Sequence, residues 1–96
     1  MTRLYLVAYD ISEPKRLRKV FRTMRGFGEH LQFSVFQCDL TAMARVEMQA
    51  ALEEIIHHGE DKVLIIDLGP TEARPVKSIE ALGRQVRPVK RGPVIV

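Results

Sequence analysis

The chain has 96 residues, of which 46% are apolar and 28% charged, with a formal charge of +3. That length leaves room for one domain with one modest core and excludes a second domain. The balance of apolar and charged residues argues against disorder, and the small positive charge permits a polyanionic partner without requiring one.

Residues 3–9 form an aliphatic and aromatic run that stops at Asp10, the pattern of a first strand. Turn chemistry follows, with Ser12 expected as a helix N-cap and Glu13 and Pro14 in the first turn. Leu17, Val20, Phe21 and Met24 then recur at the spacing of one helical face, while Lys15, Arg16, Arg18, Lys19, Arg22 and Arg25 occupy the others. Gly26 and Gly28 are expected to end this basic, amphipathic helix.

Residues 30–40 alternate, Leu31, Phe33 and Val35 on one side against Gln32, Ser34 and Phe36 on the other, and read as a second strand. Thr41 is the expected cap of a second helix running to about His57, with Met48, Ala51, Leu52 and Ile55 on its apolar face and Gly59 as the stop. Residues 62–68 read as a third strand ended by Gly69-Pro70, and residues 77–82 as a short fourth. The elements thus read run β-α-β-α-β-β. The expected fold is α+β, a ferredoxin-like sandwich of the β-α-β-β-α-β type with both helices on one sheet face. Residues 1–83 would form this domain and 84–96 a C-terminal tail.

Strands one and three are apolar on both sides: Leu4, Leu6 and Ala8 against Tyr5, Val7 and Tyr9, then Val63 and Ile65 against Leu64 and Ile66. Two helices cover only one sheet face, so the pattern predicts that a second copy covers the other, making a sheet-mediated homodimer. The tail, with its terminal Pro93-Val94-Ile95-Val96, offers another cover. A tail strand pairing with the partner's sheet satisfies both readings.

Charge is segregated along the chain. Arg3, Lys15, Arg16, Arg18, Lys19, Arg22 and Arg25 stand in residues 1–30 against Asp10, Glu13 and Glu29, and residues 71–96 repeat the basic bias. The basic residues of the first helix, Arg16, Arg18, Lys19, Arg22 and Arg25, are candidates for a stripe that neutralises phosphates. A solvated helix face of ordinary kind has the same composition. The single cysteine, Cys38, has no internal disulfide partner and reads as buried filler in a reducing compartment. No secretory leader pattern and no apolar run of membrane-spanning length is present, so a cytoplasmic protein without membrane contact is expected. His30, His57 and His58 lack zinc-site spacing, and no phosphate-binding loop, dinucleotide fingerprint or nucleophile elbow occurs.

The segments Leu6-Val7-Ala8-Tyr9-Asp10-Ile11, Arg16-Leu17-Arg18-Lys19-Val20, Gln32-Phe33-Ser34-Val35-Phe36-Gln37-Cys38, Val63-Leu64-Ile65-Ile66-Asp67-Leu68-Gly69 and Ile79-Glu80-Ala81-Leu82-Gly83 together carry a family likeness. The chain resembles the small universal CRISPR-associated endoribonuclease family that partners the CRISPR integrase in spacer acquisition, and the likeness spans almost its whole length. The resemblance implies a ferredoxin-like homodimer in which the first-strand aspartates, here Asp10, face each other across the two-fold axis and share a divalent metal. It also implies an adaptor role, bridging integrase dimers and holding the duplex to be inserted. Gln37 stands where many members carry glutamate, and Glu13 where aspartate is common, so neither is assigned a catalytic role.

Asp10 breaks the alternation at the carboxyl end of an apolar strand and does not read as core, and the resemblance implies that it is the metal ligand and candidate catalytic residue. Two such carboxylates at a dyad repel unless a cation lies between them, and an oxygen-only site suits Mg2+ or Mn2+, weakly held. An Asx-type turn with the following loop is the structural alternative. The resulting function readings are a nucleic-acid-binding adaptor for duplex DNA and the integrase subunit, a magnesium-dependent endonuclease acting on DNA or single-stranded RNA, and a small toxin-like ferredoxin-fold ribonuclease.

Overall fold

The computed structural model describes residues 1–73 and 80–84. β1 (Arg3–Asp10) is the centre of a four-stranded antiparallel sheet, which suits its apolar residues on both sides of the pleat. It pairs with β3 (Val35–Leu40), Val7 opposite Phe36, and with β4 (Lys62–Pro70), Val7 opposite Ile65 and Asp10 opposite Lys62. β2 (Glu29–Gln32) adds beyond β3, so the strand order is β2-β3-β1-β4. With α1 (Pro14–Arg25) after β1 and α2 (Ala42–Ile55) after β3, the chain runs β-α-β-β-α-β, the ferredoxin-like arrangement.

The segment 30–40 is therefore a hairpin rather than one strand. Phe33 adopts φ 37° between Gln32 and Ser34, which reverses the chain, and Tyr9 N–H bonds the Ser34 carbonyl at 3.0 Å where the turn meets β1. A bulky residue in the left-handed region is rare, so alternation through Phe33 gave no sign of the turn. The reversal also changes the faces, for Phe36 is fully buried while Phe33 stands 87% exposed. Three smaller differences follow from local chemistry. Glu13 caps α1 in place of Ser12, α2 stops at Ile55 rather than His57, and β4 continues through Gly69 and Pro70. The expected fourth strand over 77–82 is absent from 80–82, while 77–79 lie outside the described residues, as does the tail from 85 to 96. Thr41 does cap α2, its hydroxyl oxygen accepting from Ala44 N–H at 3.1 Å, and Gly26 does close α1.

Alternation divides the sheet into two unlike faces. Tyr5, Val7 and Tyr9 of β1, Phe36, Cys38 and Leu40 of β3, and Val63 and Ile65 of β4 meet Val20 and Met24 of α1 and Met48 and Leu52 of α2 in one core. Gly28 lies so close to β3 that a Cβ there would strike the Cys38 sulfur and the Gln37 carbonyl, so the chain enters the sheet over a residue without a side chain. Burial pushes the Cys38 thiol up to about 12, which suits a packing residue and not a nucleophile. The opposite face carries Leu6, Ala8, Val35, Leu64 and Ile66, and both helices lie on the other side. Leu64 is 52% and Ile66 44% exposed. Among the described residues no helix is long and apolar enough to cross a membrane.

Candidate nucleic-acid interface

Asp10 ends β1 on the sheet face opposite the two helices, in line with Leu6 and Ala8, exposed and with Lys62 opposite in register. The chain then turns sharply, Ile11 entering the core and Glu13 capping α1. Glu13 accepts from Arg16 N–H at 2.8 Å and Lys15 N–H at 3.1 Å, and these bonds hold its carboxyl below the usual range.

Asp61, just before β4, locks this turn from outside. Its Oδ1 accepts from the Ser12 N–H at 3.0 Å and the Ser12 hydroxyl at 3.1 Å. Its Oδ2 accepts from His57 N–H and from Arg16 Nε, each at 2.8 Å. Arg16 Nη2 also reaches Glu60 at 3.2 Å. The Asp61 side chain is closed off from solvent, yet the Arg16 guanidinium and these donors hold its carboxyl far below the usual aspartate range. Such a carboxylate stabilises the fold above the ordinary aspartate value of 3.8, and that contribution is lost as the pH falls below it toward the depressed one. Asp61→Asn should therefore lower Tm at neutral pH and flatten the acid limb of a Tm-against-pH curve below about pH 4. An unaltered acid limb would assign that limb to other carboxylates.

The helix period explains why Arg16 leaves the expected stripe. Arg16 falls on one flank of the buried Val20 and Met24 line, toward Asp61, whereas Arg18, Arg22 and Arg25 fall on the other at i, i+4 and i+7. Arg18 and Arg22 line a groove of about 420 Å³ together with Tyr9, Leu17, Phe21, Phe33 and Ser34. The Arg25 guanidinium lies 5.8 Å from the centre of the Phe21 ring, beside that groove, and Lys19 is exposed on the polar side of α1. Of the five basic residues picked out in the sequence, two thus meet at the groove and one borders it. Arg16 is committed to the Asp61 network.

Tyr9 forms the inner wall. Its ring stacks on Phe36 at 6.2 Å between centres, and its hydroxyl is raised above the usual tyrosine value by burial, partly offset by a hydrogen bond with Ser34. Tyr9 and Asp10, adjacent in sequence, point to opposite sides of the sheet.

The family model for CRISPR associated protein Cas2 matches residues 1–75. The chain belongs to the Cas2 family. A Geobacter sulfurreducens protein named CRISPR-associated endoribonuclease Cas2 is 48% identical over 96 residues, covering all of both chains. A Rhodospirillum rubrum protein, CRISPR-associated endoribonuclease Cas2 1, is 45% identical over 96% of this chain and 89% of its own length. In structure the chain is similar to Streptococcus pyogenes Cas2, with a TM-score of 0.72 and 30% identity over 83% of this chain and 99% of that one. A hypothetical protein from Thermus thermophilus, TT1823, superposes with a TM-score of 0.78 at 28% identity, covering 93% of this chain and all of the other.

For this Cas2-family chain, the donor chemistry at Asp10 sets what a metal would find. Among the described residues no group of three or more His, Cys, Asp or Glu side chains is gathered to hold an ion. Asp10 fits a hard cation as one oxygen ligand among waters, and a second copy meeting the face opposite the helices would bring a second such carboxylate. Sequence reasoning missed Asp61 and the turn at Phe33. Nothing in a Gly-Glu-Asp loop announces that its aspartate will accept from Ser12, 49 positions away.

Proposed function

We propose that this chain acts as a cytoplasmic homodimer of CRISPR-based antiviral defence, binding duplex DNA and presenting it to the integrase subunit during spacer acquisition. The observation that carries this reading is the division of the sheet. Both helices lie on one face, and the apolar face opposite runs along β1 to Asp10. A second copy is the simplest cover, since each then buries Leu6, Ala8, Leu64 and Ile66 against the same residues. β4 supports the same assembly, for among the described residues it is an edge strand of nine residues, onto which the partner's 84–96 tail would add. On the helix side, Arg18, Arg22 and Arg25, with Lys19 beside them, give the phosphate contacts that a duplex needs.

A second reading, a magnesium-dependent endonuclease acting on DNA or single-stranded RNA, is favoured by the endoribonuclease name of the relatives. Asp10 of both copies would hold Mg2+ or Mn2+, which when bound supplies Lewis-acid activation of a water and of the phosphodiester. The chain's own part would be to aim two carboxylates at one point from the rigid end of β1.

Asp10→Asn separates the two. The adaptor keeps spacer uptake and duplex affinity within about twofold, because a neutral amide at an exposed strand end removes no phosphate contact. The nuclease loses magnesium-dependent cleavage and still binds. Loss of spacer acquisition by a variant that remains a folded dimer bound to DNA and integrase would overturn the adaptor reading.

A further inference from the structure

Asp10 stands between two fixed stretches of backbone. Behind it lies the β1–β4 ladder, whose register ends with Asp10 opposite Lys62. Ahead of it the ladder is continued by a side chain, because Asp61, which precedes Lys62, accepts from the Ser12 N–H and hydroxyl through Oδ1. Through Oδ2 the same carboxylate takes Arg16 Nε from the first turn of α1 and the His57 N–H from the segment leaving α2. One side chain thus ties the turn after Asp10 to both helices.

The loop that presents Asp61 is itself closed. The Glu60 and Asp61 N–H groups both donate to the His57 carbonyl, at 3.0 and 2.8 Å, and the Gly59 N–H donates to His57 Nδ1 at 3.2 Å. None of these bonds reaches the Asp10 carboxylate, which stays exposed on the sheet face opposite the helices. The backbone on either side of a carboxylate is held while the carboxylate is left open to a ligand. That matters most where ligands are few. Two carboxylates related by a two-fold axis repeat any error of aim in both copies, so the gap between them changes by twice the error, and a cation sharing them has no other protein ligand to compensate.

We infer that Asp61 is a positioning residue for metal binding: by clamping Ser12 and Arg16 it fixes the direction in which the Asp10 side chain leaves β1, so that the carboxylates of two copies converge on one divalent cation. The inference rests on the reading of Asp10 as a metal ligand and adds to it a residue that touches neither the metal nor the substrate.

The test is Mn2+ binding to the full chain, followed by loss of the EPR signal of the free ion, with the binding that disappears in Asp10→Asn defining the site. Asp61→Asn, shown to be folded and dimeric by thermal unfolding and sedimentation velocity, binds Mn2+ about tenfold more weakly than wild type. Asp67→Asn is the control for a general loss of stability. It removes a carboxylate paired with Arg3 at 3.1 Å across the same two strands, toward their other end, and keeps the wild-type affinity within about twofold. Arg16→Lys covers the case in which the Asp61 variant fails to fold, since an ammonium keeps the charge beside Asp61 but cannot span Asp61 and Glu60 as the guanidinium does. Its affinity falls by about threefold or more. Wild-type affinity in folded Asp61→Asn or in Arg16→Lys, or a loss in Asp67→Asn equal to that in Asp61→Asn, overturns this inference alone. A wild type that binds no Mn2+, or binding that is unchanged in Asp10→Asn, overturns the metal reading and this inference with it.

Discussion

Replacing Leu64 and Ile66 together by glutamate is expected to convert the protein into a folded monomer, with the self-association constant weakened at least about 100-fold, or about 2.8 kcal/mol. The size follows from where these side chains sit. In the single chain they are half exposed, so a carboxylate there remains in water and the core beneath, built on Val63 and Ile65, is untouched. In a symmetric pair the same positions face their own copies, and four introduced charges would lose water without gaining partners. Sedimentation velocity across a dilution series reads the association, and thermal unfolding reads the fold. A double variant that sediments as wild type would place the interface elsewhere.

Charge reversal at the groove is the second large effect. Arg18→Glu with Arg22→Glu should reduce the slope of log K against log salt by about 2 for each chain in contact with the duplex, and affinity by about 50-fold at roughly 0.1 M salt, from lost counterion release alone. The sequence of the duplex should not matter, since phosphate contacts carry no base information. Titrations at several salt concentrations measure both quantities. A slope equal to that of wild type would move the phosphate track away from α1. Arg16 should be left in place, because its loss acts through the Asp61 network on the turn after Asp10.

Much of this architecture was legible in the chain. Val20, Met24, Met48 and Leu52 announced the buried helix faces by their spacing, and Thr41 and Gly26 announced helix ends, because each of these signals is local. The two-sided apolar character of β1 and β4 likewise pointed to an apolar sheet face opposite the helices, where Leu64 and Ile66 lie half exposed. The hairpin at Phe33 stayed hidden because turn propensity assigns that conformation to glycine or asparagine, and here a local bond from His30, whose ring is fixed against Phe21 and Phe36, holds a phenylalanine in it. Residue type and the following Glu13-Pro14 point to Ser12 as the cap of α1. Its hydroxyl is instead held by Asp61, and Glu13, one position later, has the reach to accept from two backbone N–H groups. The basic stripe was legible as composition but not as geometry, since only the position of Asp61 decides that Arg16 belongs to the fold.

The opposite aim of Tyr9 and Asp10 puts a wall through the middle of the molecule's chemistry. A nucleic acid bound along α1, as proposed, would touch the groove on the near side, while the acidic strand end looks out on the far side, so it would have to pass round the rim of the sheet to reach both. On the two proposed readings, gripping and cutting would thereby be mechanically uncoupled, so that either could be lost without disturbing the other.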